Sequence, residues 1–293
     1  MLYIKLTKRR IVLFILLLLI VFCTIVYSKS ASTAVDARDA NEGQIDRTVS
    51  FSVIMYHLVN SDETAVNDYV ITPQQLESDL IYLKENGYET VSVSDLVRYI
   101  NDPAATLPDK PILLTFDDGY YNNYLNVFPL LKKYDAKCVL SIIGKYTERD
   151  DTLNQVEAYS HVSWAQLKEM ADSGYVEIGN HTYDLHSNDT QRGVLAIWND
   201  DTAQFETSLC NDVLKLQELI FSNTGCLPIT FAYPFGQSNA YTEEVMRNLG
   251  FLCTLSCEEG INHIEKGGDL YYLKRYNRPH GPNSEAFFSG KLP

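Results

Sequence analysis

The chain has 293 residues, and its 38 acidic and 24 basic side chains give a formal net charge of −14 at pH 7. Residues 1–29 hold five of the basic side chains and no acidic ones, so the remainder carries −19. This acidic balance disfavours nucleic acids and anionic surfaces as partners, while it leaves neutral sugar polymers open.

The N-terminal segment has the pattern of a membrane signal anchor. Residues 1–10 are basic, and residues 11–27 carry no charge. Seventeen such residues are near the lower limit for a membrane span and exceed most secretory h-regions. The basic flank keeps the N-terminal end cytoplasmic and exports the rest of the chain. We therefore expect a cytoplasmic tail over 1–10, a single transmembrane helix over 11–27 and an extracytoplasmic remainder. The alternative is secretion after cleavage near the small residues 32–34.

Residues 28–49 are small, polar and acidic, and they indicate a linker. The length of 50–293 suits one domain with a sizeable core. Strand and helix patterns alternate along it, which argues for a parallel α/β fold, but periodicity does not separate an open sheet from a barrel. The predicted strands are 51–56, 90–93, 111–116, 137–143, 175–180, 229–233, 251–255 and 270–276. The predicted helices are 73–86, one opened by Ser94, 122–134, 164–173 and about 200–222.

The six cysteines do not suggest a disulfide framework. Cys23 lies in the apolar N-terminal run, and the other five form an odd, widely spaced set. A bridge between Cys210 and Cys226, or between Cys253 and Cys257, remains open.

Two adjacent carboxylates end a predicted buried strand. Residues 111–116 are almost continuously apolar, as suits a strand covered on both faces of a parallel sheet. Asp117, Asp118 and Gly119 follow at its carboxyl end, where α/β folds usually carry function. Neighbouring residues of an extended chain point to opposite sides. We therefore expect the two aspartates to have different tasks.

A close histidine pair follows another predicted strand. His181 and His186 are five residues apart, about 140° on a helix, so they do not form a helical zinc pair. Instead, His181 is expected at the strand tip and His186 in the loop beyond it. Two imidazoles and one carboxylate match catalytic zinc with a position left for water. Zinc is the first choice, although other divalent transition metals suit this ligand set.

Such a metal lowers the pKa of bound water from about 15.7 to about 7 and polarises a carbonyl oxygen. An aspartate that does not bind the metal could then act as general base. The implied reaction is metal-assisted hydrolysis of an acyl group.

These residues resemble the motifs of the polysaccharide deacetylase family, also called the NodB-homology family or carbohydrate esterase family 4. Its first motif, T-F-D-D-G, is intact at 115–119, and the resemblance implies that Asp117 is the general base and Asp118 a metal ligand beside His181 and His186. The family's second motif is commonly H-[S/T]-x-x-H. The longer form here is similar to that of poly-N-acetylglucosamine deacetylases. The resemblance covers roughly 50–280 and implies a distorted (β/α)7 barrel.

The third family motif, R-x-P-[F/Y]-G, corresponds to residues 232–236 with one departure. Ala232 replaces the arginine that orients the base aspartate in the family, and Arg275 is a candidate substitute. The resemblance implies a backbone N–H at Phe235 that helps to hold an oxyanion. The substrate and oxyanion wall implied in this way comprises Tyr233, Pro234, Phe235 and Gly236.

The later family motifs are not recognisable. The family's fifth motif supplies a histidine as general acid, and His280 is the histidine near the expected region. His57 follows the first predicted strand and is a candidate for lining the site.

We expect a zinc-dependent hydrolase that removes N-acetyl groups from a cell-surface or exported N-acetylhexosamine polysaccharide, either peptidoglycan or poly-N-acetylglucosamine. An O-acetyl esterase and a catalytically weak, surface-anchored glycan-binding protein remain alternatives.

Overall fold

Alternating strands and helices build the protein. The computed structural model describes residues 48–151, 155–157, 159–186, 193–197 and 201–293. The described strands are β1 (Val49–Tyr56), β2 (Leu58–Val59), β3 (Val70–Ile71), β4 (Glu89–Thr90), β5 (Pro111–Phe116), β6 (Cys138–Ile142), β7 (Val176–Asn180), β8 (Thr230–Ala232), β9 (Cys253–Leu255), β10 (Asn262–Ile264), β11 (Leu270–Leu273) and β12 (Tyr276–Asn277). The described α-helices are α1 (Pro73–Glu85), α2 (Val93–Asn101), α3 (Phe128–Tyr134), α4 (Gly144–Asp150), α5 (Trp164–Asp172), α6 (Thr202–Thr224), α7 (Ala240–Asn248) and α8 (Ser284–Phe288).

The main sheet is parallel along most of its path. Its strands follow the order β1-β5-β6-β7-β8-β9-β11, and each pairs in parallel with its neighbour. Short β10 pairs antiparallel with the start of β1, and β4 pairs with the start of β5. The carboxyl ends of the parallel strands therefore meet at one end of the sheet.

The two ends of this sheet are joined by one crossing segment. β11 ends at Leu273 beside β9, and β12 begins at Tyr276 beside Ile54 of β1. Asn262 holds the segment between them by two 2.9 Å hydrogen bonds to the backbone of Lys274. The strand predicted over 270–276 is thus two strands separated by a crossing. The result is an α/β fold with a nearly closed, barrel-like sheet, and the prediction is confirmed at that level.

The two faces of the strands pack against different partners. One face contributes Val53, Leu113, Val139 and Ala232 to a buried cluster of strand side chains. The other face packs on the helices, for example Leu114 and Leu140 with Leu76 of α1 and Leu167 of α5. This two-sided burial explains why the central strands are almost continuously apolar.

Several element boundaries differ from the predictions for local reasons. Helix α2 begins at Val93 because Ser92 caps it, accepting a hydrogen bond from the N–H of Asp95, whose side chain accepts one from Ser92. In the helix predicted over 122–134, the first part is a π-helical turn, Asn123–Val127. Pro129 explains this turn because it has no N–H to donate.

No helix among the described residues is long and apolar enough to cross a bilayer. The predicted tail, transmembrane helix and nearly all of the predicted linker lie outside the described residues. All five cysteines in the described part of the chain are free, so neither of the disulfides left open by the sequence is formed in the structure.

Candidate active site

The polar residues singled out in the sequence meet where the parallel strands end. Tyr56 of β1 is in register with Phe116 of β5, so His57 and Asp117 follow on neighbouring strands. The N–H of Asp117 donates to the carbonyl of Tyr56 at 3.0 Å. Directly after β7, the N–H of His181 donates to the carbonyl of Ile142 at 3.0 Å. Sheet register thus brings residues from distant parts of the chain to one place.

Asp118, His181 and His186 form the candidate metal centre. One ligand atom from each lies within 4.8 Å of the others. Asp118 Oδ1 is 3.5 Å from His181 Nε2 and 3.4 Å from His186 Nε2. That oxygen is buried without a hydrogen-bond partner. A buried orphan carboxylate oxygen facing two imidazole nitrogens fits a divalent transition metal.

The surroundings set the orientation of the first histidine. His181 Nδ1 is 2.8 Å from the carbonyl oxygen of Ala232, which can only accept, so Nδ1 carries the proton and Nε2 is left for the metal. Burial and, to a lesser extent, the charge of His181 lower the pKa of His186 to about 4. Burial opposes the charged form of Asp118, but the close ring of His181 and the other nearby imidazoles hold its pKa below the ordinary value. Neutral His186 and ionised Asp118 are the forms that bind a metal.

The backbone is strained at the ligands. Asp118 has φ 73° and Thr182, next to His181, has φ 72°, both in the left-handed region that residues with side chains rarely adopt. At Gly119, φ is 74°, and a Cβ would lie 2.8 Å from Cγ2 and 3.2 Å from Cα of Ile142 on β6. The glycine of the D-D-G motif is therefore required by both its conformation and its packing.

Asp117 is paired with Arg275. The guanidinium nitrogens lie 2.9 Å from Oδ1 and 2.8 Å from Oδ2, with both side chains buried. Arg275 also donates to the carbonyl of Ser256 at 2.7 Å. Burial favours the neutral acid, but the charge and hydrogen bond of Arg275 and the charges of His181 and His57 together outweigh it, and the pKa of Asp117 is lowered. In the family, an arginine at the position of Ala232 orients the base aspartate. Here Arg275 contacts that aspartate instead.

The residues of the third motif have different surroundings. The ring of Phe235 lies 4.3 Å from that of His186, and its backbone has φ 56°. Tyr233 turns away, and its hydroxyl donates to Glu243 at 3.2 Å. Pro234 is buried, and a Cβ at Gly236 would lie 2.7 Å from Cβ of Cys257.

The two remaining histidines have different surroundings. His57 is half-buried, and burial lowers the pKa of its ring, while the charges of Asp118, Asp117, Arg275 and His181 also act on it. Its Nδ1 is buried without a hydrogen-bond partner. His280 is exposed, and its Nδ1 lies 2.8 Å from Oε1 of Gln75. The site therefore contains His57, and these contacts do not support His280 as the general acid.

The structure adds residues that the sequence patterns did not single out. Burial and the negative charge of Asp118 raise the pKa of Tyr120. The Tyr120 ring lies 4.9 Å from that of His161, whose Nδ1 is 3.1 Å from Asp150. Tyr120 directly follows the D-D-G motif, so its position was a usable signal. Nothing in the sequence spacing marks His161 or Asp150.

A family model described as polysaccharide deacetylase matches residues 104–253. Among curated relatives, the poly-beta-1,6-N-acetyl-D-glucosamine N-deacetylase of Escherichia coli (strain K12) is 25% identical over 251 residues, covering 78% of this chain and 37% of that protein. The enzyme of the same name from Staphylococcus aureus (strain MSSA476) is 25% identical over 218 residues, covering 73% of this chain and 70% of that protein. The chain thus spans little more than a third of the E. coli relative.

Solved structures show the same likeness. The de-N-acetylase from Aggregatibacter actinomycetemcomitans is 25% identical, with a TM-score of 0.68, covering 82% of this chain and 98% of that one. IcaB from Ammonifex degensii is 27% identical, with a TM-score of 0.65, covering 78% and 92%. Since the family model matches just over half of the sequence and the fold agrees, the chain belongs to the polysaccharide deacetylase family.

Proposed function

We propose that the chain is a metal-dependent hydrolase that removes N-acetyl groups from a polymer of N-acetylhexosamine. The observation that carries this proposal is the placement of Asp117, held by Arg275, beside the three ligand atoms of Asp118, His181 and His186. A base next to a three-ligand centre is an arrangement suited to metal-assisted hydrolysis of an acyl group. Zinc is the proposed metal.

When bound, the metal would activate water and polarise the substrate carbonyl. Asp117 takes the proton from the attacking water, since Arg275 keeps it ionised and fixed in orientation. By resemblance to the family, the backbone N–H of Phe235 is the proposed hydrogen-bond donor to the developing oxyanion. Hydrolysis breaks the C–N bond and yields acetate and an amine, so a proton must reach the leaving nitrogen. His57 is the proposed donor because it directly follows Tyr56, whose carbonyl accepts from the N–H of Asp117, and because its Nδ1 is buried without a hydrogen-bond partner.

Poly-N-acetylglucosamine is the preferred substrate over peptidoglycan. Two relatives named for that activity are 25% identical. The five-residue histidine spacing supports the same choice. The amine product is cationic, which suits the acidic chain.

We also propose that the enzyme acts outside the cytoplasm, because the apolar run 11–27 with its basic flank has the pattern of a signal anchor. Protease treatment of intact cells should digest the catalytic domain. Protection until the membrane is opened would contradict this location.

The test is acetate release from β-1,6-linked N-acetylglucosamine oligomers by metal-stripped protein resupplied with zinc, with Asp117→Asn as control. Peptidoglycan and an O-acetylated xylan are assayed in parallel. We expect zinc-dependent release from the oligomers and little release by the variant.

Preferential release from the ester would favour an O-acetyl esterase. Oligomer binding without release under zinc, cobalt or manganese would favour a glycan-binding protein. Equal release by both proteins would remove Asp117 from the mechanism.

A further inference from the structure

The loop that carries the second ligand histidine is held from outside by one carboxylate. Between His181 and His186, the N–H groups of Tyr183 and Asp184 donate to the two oxygens of Asp212, at 2.7 and 2.9 Å. Asp212 lies 29 and 28 residues away, on helix α6. This is the stretch whose extra residue distinguishes the chain from the commoner histidine spacing.

Helix α6 is a firm support for such an anchor. One side of the helix is buried in the fold along its length, through Phe205, Leu209, Val213, Leu216 and Ile220. A second attachment comes from Asn180 at the end of β7. Its Nδ2 donates to the carbonyl of Val213 at 3.1 Å, and its Oδ1 accepts from the N–H of Thr182 at 2.9 Å. Successive backbone N–H groups of the loop are therefore fixed through α6 and the residue that contacts it.

The opposite edge of the loop is held by the start of α4. The carbonyls of Thr182 and Tyr183 accept from the N–H groups of Gly144, at 3.1 Å, and Lys145, at 2.9 Å. Each polar backbone group from the N–H of Thr182 to the N–H of Asp184 thus has a partner. Because Thr182 is in the left-handed region, its conformation persists only where such contacts determine it.

The carboxylate of Asp212 suits two convergent donors. A carboxylate accepts at both oxygens, whereas an amide has one acceptor oxygen and a nitrogen that would face the second N–H. Burial raises the pKa of this acid to about 6, although the two N–H groups and Lys215 act in the opposite direction. The hydrogen bonds from the N–H groups of Tyr183 and Asp184 explain why a carboxylate stands at this partly buried position.

We propose that Asp212 is a positioning residue for the metal centre: by holding the N–H groups of Tyr183 and Asp184, it sets the path that returns His186 to Asp118 and His181. The inference rests on the proposed metal site. Asp212 is not one of the three candidate ligand residues, and it acts through the loop.

The experiment measures zinc affinity of the metal-stripped, full-length protein by competition with a chromogenic chelator. The variants are Asp212→Asn and, as a matched control, Glu218→Gln, which removes one charge from an exposed position of the same helix. We expect Asp212→Asn to bind zinc about 10- to 100-fold more weakly, the range for residues that orient metal ligands. Glu218→Gln should bind like the parent. Circular dichroism and thermal melting of the metal-free proteins report folding separately.

A folded Asp212→Asn protein with parental zinc affinity would overturn the inference, as would an equal loss in Glu218→Gln. Should Asp212→Asn not fold, Asp212→Glu decides, because it keeps the charge but moves the acceptor oxygens by one methylene; unchanged affinity there would also overturn it. Failure of the parent to bind zinc would instead refute the proposed function itself.

Discussion

Two buried arginines, three residues apart, bind two buried aspartates, but the two ion pairs have different roles. Arg275 pairs with Asp117 at the site, and Arg278 pairs with Asp79 at 2.8 and 2.9 Å in the core. Both guanidinium groups are fully buried. Since the charge types and burial match, the difference must come from what else each carboxylate contacts.

The carboxylate in the core has its acceptor positions occupied. Besides Arg278, Asp79 accepts from the hydroxyls of Tyr56 at 3.1 Å and Ser284 at 2.7 Å, which ties β1 and α8 to α1. Among the described contacts, the side chain of Asp117 accepts hydrogen bonds from Arg275 alone. A saturated carboxylate contributes to the fold, whereas one with lone pairs to spare at a cleft can take a proton.

Asp117→Asn should have the strongest effect on activity. The amide cannot take the water's proton, so acetate release should fall by as much as about 10⁴-fold. The substitution also leaves the buried guanidinium of Arg275 without its counter-charge, so we expect stability to fall as well, and acetate release is compared per folded molecule. Acetate release and urea unfolding are measured on the same preparation. A large loss of stability with activity retained per folded molecule would reverse the assigned roles.

Asp79→Asn should lower stability but leave acetate release per folded molecule nearly unchanged. It leaves the charge of Arg278 buried and uncompensated, which costs about 3–5 kcal/mol of unfolding free energy. Urea denaturation measures this loss. Asp172→Asn is the control because its pair with Lys168 is exposed and contributes little. Unchanged stability of Asp79→Asn would contradict a structural role for the core pair.

The histidines near the two arginines extend the contrast. Burial lowers the pKa of His57, and the charges of Asp117 and Arg275 also act on it. His280, in contrast, lies two residues beyond Arg278 and contacts Gln75. We expect His57→Ala to lower acetate release about 100-fold, through loss of the proton donor. His280→Ala should leave it nearly unchanged. Comparable losses in both variants, with both folded, would mean that neither is specifically the donor.

The sequence predicted the parts of the site that depend on local pattern. Buried strands ending in polar residues identified Asp117, Asp118 and His181, because strand ends of a parallel sheet converge. The five-residue spacing predicted correctly that His186 returns through a loop. The alternation of strands and helices predicted the α/β fold, but the crossing at Lys274 interrupts a strand whose pattern looks continuous.

The features that escaped the sequence depend on contacts between distant residues. The sequence named Arg275 as a candidate, but it could not predict the contact with Asp117, because no spacing encodes a pairing 158 residues apart. Asp212 sits on a helix whose periodicity predicts only helix. Polar residues that hold a loop from another element need the tertiary structure to be found.

Arg275→Met tests how far Arg275 lowers the pKa of Asp117, and its effect on activity should be modest. Burial alone raises the pKa of Asp117, and Arg275 provides the main opposing charge, so Arg275→Met should raise that pKa. Asp117 would then become protonated at a higher pH, and the acid limb of the kcat/KM profile should move upward. About one pH unit below the new pKa, kcat/KM should lie about tenfold below its plateau, with recovery at higher pH where Asp117 is again ionised. Arg278→Met is the matched control, since removing the core guanidinium lowers stability but leaves the acid limb of the folded fraction in place. If the acid limb stays fixed in Arg275→Met, Arg275 only holds the orientation of Asp117. If the limb moves equally in both variants, the shift comes from a general loosening of the fold.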